Sequence, residues 1–213
     1  MMIDQTDSSE VTALKQFCVK YAKLLVGVVV LFVIVLGGVN WWQNKRASAA
    51  SDASQIFHDM VMAEMQNDTQ TATAKGGQLI SDYSKTPYAQ FAGLLLAKMA
   101  VTEGELDKAA DQLRWVANQS SAKHIAKHLA TVRLAAVLQQ QGKLDEALAL
   151  VAKDPDQAYT TLYAQARGDI YVSKGELAEA KNAYILAMQS LPQGVQSPLL
   201  QMKLLDLGDN NEA

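Results

Sequence analysis

Cysteine is almost missing from this chain: of 213 residues only Cys18 carries a thiol. A disulfide framework is excluded, and so is a thiol nucleophile anywhere in the 195 residues that follow it. Histidine is scarce as well, at three residues. His124 and His128 share one helix face, but the segment between them lacks the glutamate that an H-E-x-x-H zinc site uses as general base, and no third ligand is evident. They read as a partly exposed surface pair, and His58 is isolated. No cofactor or metal is expected, and catalytic residues are lacking. Gly76-Gly77 is followed by no Lys-Ser/Thr, so it is not a phosphate loop. G-x-S-x-G is absent. The scattered carboxylates Glu103, Glu105, Asp107 and Asp111 have no partnered base, and their place at helix ends explains them. These absences argue against an enzyme.

Charge is missing altogether from Leu24 to Asn44, a run of 21 residues. Nineteen helical residues, Leu24 to Trp42, span about 29 Å, close to the ~30 Å hydrocarbon core of a bilayer. Thirteen of them are Leu, Ile, Val or Phe, so insertion gains at most about 4–8 kcal/mol. Trp41 and Trp42 stand where an aromatic belt belongs, with Lys45 and Arg46 beyond to reach head groups. The run exceeds a secretory h-region, and these four residues separate it from the small triplet Ala47-Ser48-Ala49, so an uncleaved anchor is expected rather than a signal peptide. Lys15, Lys20 and Lys23 before the run, against Lys45 and Arg46 after it, place the N-terminus in the cytoplasm.

A basic stripe is the next absence. Residues 47–213 hold fourteen basic and nineteen acidic side chains, net −5, while residues 1–46 are net +2. Such a domain is not drawn to nucleic acid or anionic lipid. Residues 1–9 are polar and expected to be disordered. Val11, Leu14, Cys18, Tyr21 and Leu25 then follow helical spacing, so residues 1–23 form a cytoplasmic tail with an amphipathic helix. That helix is either an interfacial extension of the anchor or a docking surface. Residues 24–44 are the transmembrane helix and residues 45–213 one exported domain.

That domain is rich in Ala and Leu and poor in alternating β-branched runs, which predicts an all-α fold. Thr86-Pro87, Asp154-Pro155 and Ser197-Pro198 each set a capping side chain before proline and mark helix starts. Three segments share G-x-L-x-x-A: Gly104 to Ala109, Gly142 to Ala147 and Gly175 to Ala180, spaced by 38 and 33 residues. Glycine takes the left-handed conformation that ends one helix, leucine covers the corner, and alanine lets the next helix approach. Around the third copy Gly168, Tyr171, Ala180, Tyr184, Ala187 and Pro192 fall at the spacing of the tetratricopeptide (TPR) repeat, which the segment resembles, with Ala164 where a Trp is usual. The second copy is shortened at Asp154-Pro155. Residues 49–66 and 70–84 read as a further pair without the motif, and 198–207 as a closing helix. The fold class is thus a single N-terminal transmembrane helix followed by a TPR-like α-solenoid.

In such a stack the first helix of each pair lines a concave face. The candidate protein-binding positions are Phe91, Leu94, Lys98 and Val101; Leu129, Val132, Ala136 and Gln139; and Leu162, Gln165, Asp169 and Val172. They either receive an extended or helical peptide or are filled by neighbouring helices, the last helix included.

With anchor, repeats and closing helix together, the chain resembles the family of ancillary SecYEG translocon subunits, the YfgM family. The resemblance rests on Val11 to Phe17, the exit Gly38-Val39-Asn40-Trp41-Trp42, the Ala/Ser-rich Arg46 to Ser51, Arg167-Gly168-Asp169 with Leu177 to Ala180, and Gln201 to Leu204. It implies a single-pass type II protein of the bacterial inner membrane with a periplasmic C-terminal domain. It further implies association with SecYEG and a PpiD-type periplasmic chaperone, transfer of emerging unfolded polypeptides, and restraint of an envelope-stress regulator from the cytoplasmic side. The competing expectation is a TPR-like cell-envelope scaffold in division or wall synthesis.

Overall fold

The computed structural model describes residues 6–119, 125–154 and 156–209, with the side chains of residues 6–25, 28–30, 42, 44 and 209 outside the description. The described residues are helical, with no strand among them. The chain divides between Ser51 and Asp52 into two compact units.

The first unit is helix α1, which runs from Thr6 to Met65 and continues across that division. Val26, Leu31, Phe32, Val33 and Ile34 are all more than half exposed. The Lys45 ammonium sits 5.3 Å from the Trp41 ring centroid. Among the described residues no helix is long and apolar enough to cross a membrane. The run Leu24 to Asn44 is only partly included there, since seven of its side chains lie outside the described ones. The membrane-spanning expectation thus rests on the amino-acid sequence.

The second unit holds the end of α1 followed by α2 (Thr69–Asp82), α3 (Pro87–Thr102), α4 (Leu106–Asn118), α5 (Ile125–Gln140), α6 (Leu144–Val151), a 3-10 turn (Gln157–Tyr159), α7 (Thr160–Lys174), α8 (Leu177–Gln189) and α9 (Pro198–Asp209). From α2 onward consecutive helices pack against one another, and α5 also meets α3 and α7.

The turns show how sequence sets this geometry. Gly104, Gly142 and Gly175 have φ of 78°, 75° and 78°, a region that side chains with a Cβ rarely enter. After each one, a backbone N–H bonds back over the helix end: Glu105 to Ala100 O at 2.8 Å, Lys143 to Leu138 O at 2.9 Å and Glu176 to Tyr171 O at 2.9 Å. Ala109, Ala147 and Ala180 are fully buried, and Leu106, Leu144 and Leu177 lie partly buried over the corners. The α1–α2 turn makes the same closure without glycine. Asn67 takes φ 60°, Asp68 N–H reaches Ala63 O at 2.9 Å, and the Asp68 carboxylate accepts from Thr71 N–H at 3.0 Å. Asparagine tolerates this conformation better than other residues with a Cβ. Asn67→Ala is therefore expected to cost about 1 kcal/mol in chemical denaturation. Asn67→Gly should stay within about 0.5 kcal/mol of the parent, because relief of strain offsets a more flexible unfolded chain.

Two of the three expected proline starts hold. Thr86 accepts from Ala89 N–H at 3.4 Å with Pro87 in the first turn, and Ser197 accepts from Leu200 N–H at 3.4 Å ahead of α9. Asp154-Pro155 begins no helix. The Asp154 carboxylate is taken by Arg167 at 2.6 Å, Asp156 caps the 3-10 turn instead, and α7 starts at Thr160. Pro155 itself lies outside the described residues. The closing helix runs two residues beyond the expected 198–207, since α9 carries through Gly208 to Asp209.

The short α6, eight residues long, leaves the second pair underbuilt, and Arg167 compensates. Its guanidinium donates to Val151 O at 2.8 Å and to Asp154 at 2.6 Å, with only 12% of the side chain exposed. Arg167→Ala strands that carbonyl and carboxylate, and a loss of about 2–3 kcal/mol is expected in urea unfolding. A change under about 0.5 kcal/mol would show that the clamp contributes nothing.

Three apolar clusters form the core. One joins α1, α2 and α3 around Met60 and Leu79; the central one runs from α3 to α7 around Leu113, Leu138 and Ile170; the last joins α7, α8 and α9 around Tyr184 and Leu200. Trp115 packs against the first two. Polar contacts repeat with the turns. Asp107 accepts from Gln141 at 3.0 Å, and Asp145, at the equivalent position of the next turn, pairs with Lys174 at 2.6 Å. That ammonium holds the Asp145 carboxyl below its ordinary pKa.

Candidate protein-interaction surface

Helices α3, α5 and α7 carry all twelve candidate positions. Two hollows lie along them. The larger, about 380 Å³, is enclosed by α3, α4 and α5 and includes Leu94, Lys98, Val101 and Ala136. The smaller, about 80 Å³, lies between α5 and α7 and includes Val132, Ala136, Gln139, Leu162, Gln165 and Asp169. Ala136, exposed on α5, belongs to both.

Three candidates line neither hollow. Phe91 is 44% exposed and packs its ring 6.2 Å from Phe57. Leu129 leans into the central core, and Val172, 41% exposed, stands in the last turns of α7. Others are more committed than an open face requires. Leu94 is buried to 6% and forms the floor of the larger hollow rather than its rim. Lys98 pairs with Glu64 at 2.8 Å. Gln139 donates to Asp169 O at 3.0 Å and to Ser173 at 2.7 Å. The Asp169 carboxylate accepts from the Tyr184 hydroxyl at 2.6 Å and from the Lys203 ammonium. Burial and that carboxylate both push the Tyr184 hydroxyl pKa up, so it stays a neutral donor.

The closing helix does not fill these hollows. Leu200 and Leu207 of α9 join Ala164, Ala180, Tyr184 and Ala187 in the last core cluster, and α9 lines neither hollow among the described residues. Arg133 also borders the larger hollow and was not among the positions read from the repeat. Its signal was present: it lies three residues before Ala136 and four after Leu129 on one helix face.

His128 differs from its expectation. It is 8% exposed, not a surface residue, with Nδ1 3.0 Å from the Tyr163 hydroxyl and its ring centroid 4.0 Å from that of Tyr159. Burial raises the Tyr163 pKa. The cause of the misreading is tertiary: α7 covers a face that looks polar in α5 alone. His124 lies outside the described residues. No group of three or more His, Cys, Asp or Glu placed to hold a metal occurs among the described residues.

Paired helices with left-handed glycine turns, alanine contacts and a capping helix define a TPR-like helical repeat protein. A family model described as tetratricopeptide repeat-like domain matches residues 15–209. Over nearly their whole length, curated proteins each named ancillary SecYEG translocon subunit are similar to this chain. That of Haemophilus influenzae is 30% identical over 204 residues, covering 94% of this chain and 97% of its own. That of Escherichia coli K12 is 28% identical over 207 residues, covering 97% and 99%. That of Neisseria gonorrhoeae is 29% identical over 201 residues, covering 93% and 95%. The chain belongs to the tetratricopeptide repeat-like family and, within it, to the family of ancillary SecYEG translocon subunits.

Proposed function

We propose that this protein is a membrane-tethered, non-enzymatic adaptor at the SecYEG channel that helps pass emerging polypeptides to periplasmic chaperones of the PpiD type. The observation that carries the reading is the reach of the similarity: relatives bearing the translocon name match from the N-terminal tail through α9, apolar run included. Leu24 to Asn44 anchors the chain in the inner membrane, N-terminus in the cytoplasm and residues 45–213 in the periplasm. The exposed apolar side chains of α1 and the Lys45–Trp41 contact at the end of the apolar run support that placement. Tethering beside a pore raises the local concentration of the domain, so weak contacts suffice. The concave positions on α3, α5 and α7 receive polypeptide, and the cytoplasmic tail restrains an envelope-stress regulator.

The test is isolation of the full-length protein from native membranes in mild detergent, beside a version with an unrelated apolar anchor in place of residues 24–44. SecYEG and a PpiD-type chaperone should co-purify with the first, and SecYEG should be lost with the second. Recovery of division or wall-synthesis proteins in place of both would overturn the reading.

A further inference from the structure

The larger hollow has a chemistry of its own. Its floor is apolar, made by Leu94, Ala97, Leu113 and Val137, and at about 380 Å³ it is within the range of pockets that enclose a ligand group. Its charged lining residues are Lys98 and Arg133, with no carboxylate among the residues that enclose it. This is a local reversal of sign in a domain whose residues 47–213 are net −5. Lys98 is engaged with Glu64, but exposed Arg133 holds no ion pair or hydrogen bond among the described residues. A guanidinium left at the edge of an apolar hollow has its donors directed to what arrives from outside.

The hollow also has a direction. It adjoins the smaller one at Ala136, so the concave track runs from α3 across α5 to α7, with amide side chains Gln140 and Gln165 along it. Such groups bond to peptide backbone without regard to sequence. We infer that this track binds extended polypeptide segments in which an apolar side chain enters the larger hollow and a neighbouring carboxylate meets Arg133. The inference rests on the polypeptide-transfer reading above and adds a selectivity to it: acidic-flanked apolar segments are held and basic-flanked ones are released. The surrounding negative charge works against this preference at long range, so the selectivity rests on the short-range contact with Arg133.

The test uses full-length protein in nanodiscs and fluorescein-labelled Gly/Ser peptides carrying one leucine and, two residues on, aspartate, lysine or serine. Fluorescence anisotropy reads the affinity. The Leu/Asp peptide should bind about tenfold tighter than the Leu/Lys peptide at low salt, and the ratio should shrink at high salt. Arg133→Glu should invert the preference. Ala136→Trp fills the junction of the hollows from an exposed position and should abolish binding of all peptides while far-UV circular dichroism and Tm stay as in the parent. Equal affinities for the aspartate and lysine peptides, an unchanged preference in Arg133→Glu, or undiminished binding in Ala136→Trp would each overturn the inference. SecYEG recovery from membranes is read separately. Its loss in the parent sinks the translocon reading, whereas its retention with charge-indifferent peptide binding sinks only this one.

Discussion

Gly168→Ala is expected to destabilise the domain by about 3 kcal/mol, lowering Tm by roughly 6–12 °C for a domain of this size. A Cβ at this position would lie 2.3 Å from Tyr184 Cε1 and 2.5 Å from Cδ1, far inside van der Waals contact. The ring has little room to retreat. Tyr184 is 2% exposed, and its hydroxyl is tied to Asp169 at 2.6 Å. Moving it also disturbs Lys203, whose ammonium binds the same carboxylate and lies 5.4 Å from the ring centroid. One methyl group thus reaches α7, α8 and α9 together. Differential scanning calorimetry of the full-length protein in detergent checks this. A Tm within about 2 °C of the parent would mean that α7 and α8 separate cheaply, against the close packing seen here. Gly77, whose Cβ would meet nothing within 4 Å, supplies the control; alanine there should raise helix stability by up to about 1 kcal/mol.

The second large effect lies at the seam between the second and third helix pairs. Ile170→Ala should cost about 2–5 kcal/mol and divide unfolding into two steps. Ile170 is 1% exposed and joins α7 to the central cluster, while Ala164 on the same helix belongs to the last one. Ile170 and Tyr163 are the buried α7 side chains of the central cluster, packed against Leu134, Leu138 and Val151 of the second pair. In a repeat array, cooperativity rests on such nearest-neighbour interfaces. Trp115 reports the packing of α3 and α4, and far-UV circular dichroism reports all helices. In the parent the two urea transitions should coincide. In Ile170→Ala the dichroism should lead, with hydrogen exchange of α7 to α9 accelerating before that of α3 to α5. A single coincident transition would place the weak seam elsewhere.

The amino-acid sequence by itself determined the class and the period of this protein. All-α character, three helix turns, two of three proline-marked helix starts and the capping helix follow from short-range rules: glycine is required where φ is positive, Ser or Thr before proline caps a helix, and alanine is needed where two helices touch. The apolar run Leu24 to Asn44 is also purely a sequence property, since bilayer solvation depends on length and charge rather than on packing. The tertiary structure decided what each polar side chain does, because hydrogen-bond partners 13 to 35 residues away have no periodic signature. Asp154 looks like a helix cap, but Arg167 takes it across 13 residues. His128 looks like a partly exposed surface residue until α7 buries it against Tyr163, 35 residues on. Asp169 reads as part of a binding face, and Tyr184 and Lys203 claim its carboxylate. Asn67 makes a glycine-type turn that no motif marks, because the backbone bond to Ala63 O enforces it. Local conformation is set by each residue's own sterics, whereas the fate of a charge depends on which distant helix packs over it.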